Sequence, residues 1–144
     1  MTGPRPADVV IDTNCVLDLW LFDDPAMDTL KQAIHAGAVR WIAAPAMRDE
    51  LARVLTYPLV AARLARRWRT ADEVLAAFDR WVHPRAPAGA APVRCRDPDD
   101  QMFIDLAVAE GAALFSKDKE VIALARRLAP LGVAVAERAS VILE

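Results

Sequence analysis

Four acidic residues that lie far apart in the chain, Asp12, Glu50, Asp100 and Asp118, stand where they can face one another. Asp12 closes the β-branched run Val9-Val10-Ile11, and Asp118 follows the apolar stretch that ends in Phe115-Ser116-Lys117. Glu50 comes three residues after Met47 and four before Val54, so it borders a stripe of Met47, Leu51, Val54 and Leu55 while Asp49 points away. Asp100 precedes Phe103, Ile104 and Ala107 by three, four and seven residues, which puts it on the inward side of its helix and turns Asp105 to solvent. Converging carboxylates repel one another and raise their pKa values unless a cation sits among them. An all-oxygen donor set without His or Cys suits Mg²⁺ or Mn²⁺ rather than zinc. Such ions activate water and stabilise attacking and leaving oxygens, so the expected chemistry is metal-dependent phosphodiester hydrolysis.

Each of these acids also has a plainer reading. Asp12 could simply form a turn after its strand, and Glu50 could pair with Arg48 or Arg53 on a solvated helix face. In Cys95-Arg96-Asp97-Pro98-Asp99-Asp100, Asp97 fits an N-cap and Pro98 the first helical position. Acids at a helix start satisfy free N–H groups and suit the macrodipole, so some of Asp97, Asp99 and Asp100 serve the helix. Asp118 can cap a helix over Lys119 to Leu128 and still offer its other oxygen to a metal.

To bring these groups together the chain needs strands that end at one edge. Val9 to Ile11, Val39 to Ala43, Ala112 to Phe115 and Gly132 to Ala136 read as short strands separated by helical sequence. That alternation predicts an α/β fold with a mostly parallel sheet, in which ligands bind at the strands' carboxyl ends. Between the second and third strands lie helices over Pro45 to Leu55, Leu59 to Trp68 and Ala71 to Trp81. Residues 59–82 therefore form a helical arm or lid within a single domain spanning 1–144. Pro84 to Pro92 is a loop rich in Pro, Ala and Gly.

Composition limits what else the chain can be. At 144 residues, with 55% hydrophobic content, it fits one domain with an ordinary core. Eighteen basic against twenty acidic residues leave a formal charge of -2, so no global positive field draws it to polyanions. Nucleic-acid binding must then come from metal ions or a local patch. The densest one is Arg63, Arg66, Arg67 and Arg69 in ARLARRWR, with Lys117 and Lys119 beside Asp118 as further candidate RNA contacts. The alternative is a solvated helix face whose Arg stems cover Trp68. Two cysteines allow at most one bridge, and the N-terminus lacks a basic segment followed by an apolar one. A cytoplasmic location with reduced thiols follows, and no apolar run is long enough to span a membrane. Cys15 reads as a small core residue and Cys95 as a loop thiol, and the four tryptophans as core or interface residues. His35 and His83 show no triad or zinc pattern.

The stretches VVIDTN, RDELARVLTYP, CRDPDDQMFIDLAVAEGA and LFSKDKEVI, in this order, resemble the PIN-domain nucleases, named for the PilT N-terminus, and in particular the bacterial group of toxin-antitoxin toxins. The resemblance extends over most of the chain. It implies a PIN-like three-layer α/β/α sandwich, with Asp12, Glu50, Asp100 and Asp118 at the family's acidic positions and Asn14 and Ser116 as supporting polar residues. Asp97, Asp99 and Asp100 compete for the third position, and Ser116 stands where many members have threonine. The activity implied is that of an endoribonuclease using Mg²⁺ or Mn²⁺ on RNA, neutralised by a small antitoxin and often homodimeric.

Two other functions compete with this one. A non-catalytic RNA- or protein-binding module would keep the fold and lose metal-dependent cleavage. A phosphatase or phospho-receiver would also place Asp after the first strand, but Asn14 occupies the position where one such pattern needs a second Asp. No Gly-rich nucleotide-binding loop occurs in the sequence.

Overall fold

The computed structural model describes residues 7–137. The N-terminal segment that reads as lacking a leader lies largely outside them. Five parallel strands form one sheet in the order β3-β2-β1-β4-β5: β1 (Ala7–Ile11), β2 (Val39–Ala43), β3 (Val82–Pro84), β4 (Ala113–Phe115) and β5 (Val135–Ala136). Helices flank the sheet, giving the three-layer α/β/α sandwich expected from the sequence. Strand β1 is central, aligning Val9 with Trp41 on one side and with Ala113 on the other. It is β-branched and buried, as a strand covered on both faces requires.

Chain order decides where a site can form. The first half of the chain builds outward from β1 through β2 to β3, and the second half starts on the other flank with β4 and β5. The direction reverses between β1 and β4, and in open parallel sheets that switch point leaves a crevice at the carboxyl ends. Asp12 follows β1 directly, and Ser116 to Asp118 follow β4.

The connecting helices are α1 (Thr13–Trp20), α2 (Asp28–Ala36), α3 (Pro45–Val54), α4 (Pro58–Arg66), α5 (Ala71–Trp81), α6 (Pro98–Glu110), α7 (Lys119–Ile122) and α8 (Ala125–Leu128). The single helix expected over Lys119 to Leu128 is two: Leu124 sits at φ -92 and ψ 0 and its N–H bonds to Val121, which breaks the regular ladder. Strand β3 was missed in sequence. It is a three-residue, half-exposed edge strand ending in proline, so it carries neither apolar alternation nor length. Helix α5 buries Val74 and Phe78, and Phe78 meets Trp41 edge-on at 5.2 Å.

Among the tryptophans, Trp41 is core, Trp20 and Trp81 are partly buried, and Trp68 is 93% exposed, so no Arg stems cover it. Trp68 closes α4 in the left-handed region, at φ 57, with Trp68 N–H bonded to Ala65 O and Arg69 N–H to Leu64 O. Helices α2 and α6 end in the same motif with Gly37 and Gly111 at that position. A bulky L-residue there costs about 1–2 kcal/mol. Trp68→Gly is therefore expected to raise the unfolding free energy of the monomer by about 1 kcal/mol, because strain is relieved and almost no burial within the chain is lost. A urea midpoint that falls would refute this.

The Asp105 expectation is also corrected. Its carboxylate is largely shielded, accepting the Ala91 N–H at 2.9 Å and Gln101 Nε2 at 2.8 Å, with Arg94 Nη1 at 3.6 Å. Gln101 in turn donates to Val93 O and accepts from Cys95 N–H. The loop over residues 85–97 folds back across α6, which helical spacing alone does not reveal. Asp105→Ala strips the Ala91 amide and Gln101 of their shared acceptor. A loss of about 1–3 kcal/mol in urea unfolding is expected, where a merely solvated acid would give almost none.

Candidate metal centre

Three helix starts meet at the crevice, and each is capped by an acid. Asp12 Oδ1 accepts the Cys15 N–H at 3.0 Å, Asp97 Oδ1 accepts Asp99 N–H at 2.9 Å, and Asp118 Oδ1 accepts Glu120 N–H at 2.8 Å. Capping fixes each carboxylate and leaves its second oxygen for another partner. The Ser116 hydroxyl, fully buried, accepts the Asp118 N–H at 3.1 Å and tightens the turn after β4.

Carboxylate oxygens of Asp97, Asp100 and Asp118 lie within 4.8 Å of one another, and no other such set from His, Cys, Asp and Glu occurs among the described residues. Both Asp97 and Asp100 join it, so the competition between them does not resolve into one winner. Asp99 is exposed and faces a cleft of about 330 Å³ between α3 and α6, lined also by Glu50, Arg53 and Met102. Asp12 and Glu50 fall outside the triplet at that spacing, and Asp12 acts on it through charge. Asp12 raises the pKa of Asp100, and Asp118 raises that of Asp12.

Burial is the main cause of every upward shift here. It raises Asp12, against the opposing hydrogen bonds of Ser116 and Cys15. Burial also raises Glu50, helped by the charges of Asp99 and Asp12 and opposed by the hydroxyl of Thr13. Asp100 is pushed up to about 7, by burial first, then by the neighbouring Asp118 side chain and by the charges of Asp97 and Asp12. Its Oδ2 is buried with no hydrogen-bond partner. An orphaned carboxylate oxygen beside two more carboxylates is what a hard divalent cation satisfies, and oxygen donors without thiol or imidazole suit Mg²⁺ or Mn²⁺.

Other expected residues lie in varied settings. Glu50 accepts the Thr13 hydroxyl at 3.0 Å, and Arg48 binds both oxygens of Asp79 at 2.7 and 2.9 Å, so Glu50 pairs with neither Arg48 nor Arg53. Asn14 is exposed on the first turn of α1, and Lys119 is exposed at the start of α7. Lys117 contacts Asp18 at 2.5 Å. Arg69 is engaged by Trp20 O and Asp23, and Arg63 and Arg67 lie over the Phe22 ring, while Arg66 is exposed. Both cysteines are free, Cys15 buried as expected. Sequence reading missed Thr13 and Asp18. The adjacency of Thr13 to Asp12 was the available signal for the first, whereas Asp18 offered none.

The parallel sheet with acids gathered at its switch point defines an α/β protein with a candidate cation site at the strands' carboxyl ends. The PIN domain family model matches residues 8–120, and the chain belongs to that family. With membership comes a nuclease-like fold of a kind that generally works with divalent metal. A solved PilT N-terminus domain protein from the hyperthermophilic archaeon Sulfolobus solfataricus P2 is similar to it at 19% identity and TM-score 0.44, over 90% of this chain and 85% of that one. No curated protein matches the sequence significantly. No helix among the described residues is long and apolar enough to cross a membrane.

Proposed function

We propose that this chain is a metal-dependent endoribonuclease, the toxin of a toxin-antitoxin pair acting in the cytoplasm. The observation that carries the hydrolase reading is the orphaned Oδ2 of Asp100 beside Asp97 and Asp118 in a PIN domain. The RNA substrate and the toxin role rest on the sequence resemblance.

Asp97, Asp100 and Asp118 would hold Mg²⁺ or Mn²⁺, with Asp12 adjoining them and Asn14 and Ser116 in support. When bound, the ion supplies an activated water and neutralises charge on the phosphate. Glu50 Oε1 is engaged by Thr13, which leaves Oε2 to take a proton from the attacking water, and its raised pKa suits that role. Exposed Arg53, without an ion-pair partner within 4 Å among the described residues, flanks Glu50 in the cleft and would meet a neighbouring phosphate. Arg66 and Lys119 remain the freer cations of the two basic groups assigned to RNA.

The test is cleavage of single-stranded RNA with Mn²⁺ and with EDTA. Product that depends on Mn²⁺ and vanishes in Asp100→Ala supports the reading. Tight RNA binding without product in either condition would instead favour a non-catalytic module.

Exposed Tyr57, Leu59 and Trp68 around α4 are the surface for a homodimer or a small antitoxin. Sedimentation of the wild type and of Trp68→Gly tests the dimer. A monomer in both cases would count against it.

A further inference from the structure

We infer that Asp18 and Lys117 form a latch that positions Asp118 against Asp12, and that Lys117 is a positioning residue rather than an RNA contact. This deepens the metal-centre reading and rests on it for its metal clause.

The Asp18 side chain is 7% exposed, and its Oδ2 lies buried. Its charged neighbour within 4 Å is Lys117 Nζ, at 2.5 Å. A buried carboxylate without a countercharge is strongly destabilising, so the segment carrying Lys117 cannot peel away without exposing that cost. Lys117 lies between Ser116, which accepts the Asp118 amide, and Asp118 itself. Asp18 stands six residues after Asp12 on the helix that Asp12 caps. The pair thus ties the turn after β4 to the helix after β1, across the switch point. Helix α7 has four residues, too few to hold the turn by its own hydrogen bonds. Asp12 and Asp118 repel, and the latch opposes their separation in the metal-free protein.

Two readouts test this, one without metal. Amide exchange of residues 116–122 in the metal-free protein reports the latch, and calorimetric titration with Mn²⁺ reports the centre. Lys117→Met is expected to speed exchange in 116–122 and to weaken Mn²⁺ binding about 10–100-fold, the range for residues that orient metal ligands. Charge alone predicts the reverse, since losing a nearby cation would strengthen Mn²⁺ binding. Lys117→Arg keeps the ion pair and should stay close to wild type. The Asp18→Asn/Lys117→Met double variant, with no uncompensated buried charge, should bind Mn²⁺ more tightly than Lys117→Met alone. Unchanged exchange with unchanged or tighter Mn²⁺ binding in Lys117→Met overturns the latch, as does a change confined to the KM for RNA. Wild type that takes up no Mn²⁺ would sink the metal-centre reading and the metal clause, and the exchange contrast would still decide the latch.

Discussion

Asp12→Asn should cut Mn²⁺-dependent RNA cleavage by more than about 100-fold, the upper range for a residue one step removed from a metal, while leaving the fold intact. Asparagine is as good an N-cap as aspartate, and its Oδ1 can keep the bond from the Cys15 amide. What it removes is the charge. That charge is almost fully buried at the end of β1, where burial opposes it and Asp118 repels it. At neutral pH the metal-free variant should therefore be at least as stable as wild type, because a desolvated carboxylate gives way to a neutral amide of the same shape. Loss of function and retained stability together mark a group kept for chemistry. Thermal unfolding beside a cleavage time course makes the measurement. Full activity in the variant would remove Asp12 from the centre, and a collapse in melting temperature would mean that its charge serves the fold.

How much of this was legible in the sequence depends on how far each argument had to reach along the chain. Asp12 and Asp118 could be placed because a short apolar strand followed by an acid is a local pattern, and parallel strands present their carboxyl ends together. The capping role of Asp97 and the start of α6 at Pro98 were readable for the same reason. Whether Asp97 or Asp100 faces the centre was not, since helical spacing does not say where the second oxygen of a capping carboxylate lies. Both face it. Asp105 looked solvent-facing on its helix until the loop over residues 85–97 closed on it, and irregular loops have no period to read. Lys117 looked free because its partner Asp18 lies 99 positions earlier. Trp68 was assigned to core or interface by its type, whereas its position at the end of α4 is set by a backbone motif. Strands ending at a switch point are a regular consequence of alternating elements, but contacts between the two halves are individual and need coordinates.

Metal-free protein should lose stability as pH rises from about 4 to about 7, and Mn²⁺ should reverse that trend. Asp100 has an ordinary pKa of 3.8 in the unfolded chain and about 7 in the folded one. Between those values the folded state binds more protons than the unfolded state, so each rise in pH favours unfolding. The contribution is fully present below pH 3.8, is lost as pH passes through about 7, and is flat above it. Asp12 and Glu50, both raised, act with the same sign. Asp79, held low by its hydrogen bonds to Arg48, works in the opposite sense but only at the acid edge of this window. Mn²⁺ competes with the proton on Asp100, so its affinity should climb through pH 7. At a hundred times its dissociation constant a ligand stabilises by about 2.7 kcal/mol, which sets the scale of the shift at pH 8. At pH 5 the same concentration should stabilise far less. Asp100→Asn should make the pH profile of the metal-free protein shallower and weaken the Mn²⁺ response together, because that carboxylate contributes to both. Melting curves at pH 5 and pH 8, with and without Mn²⁺, decide it. A Mn²⁺ shift of equal size at both pH values would show that the ion does not displace that proton, and the acids at the switch point would then need another partner.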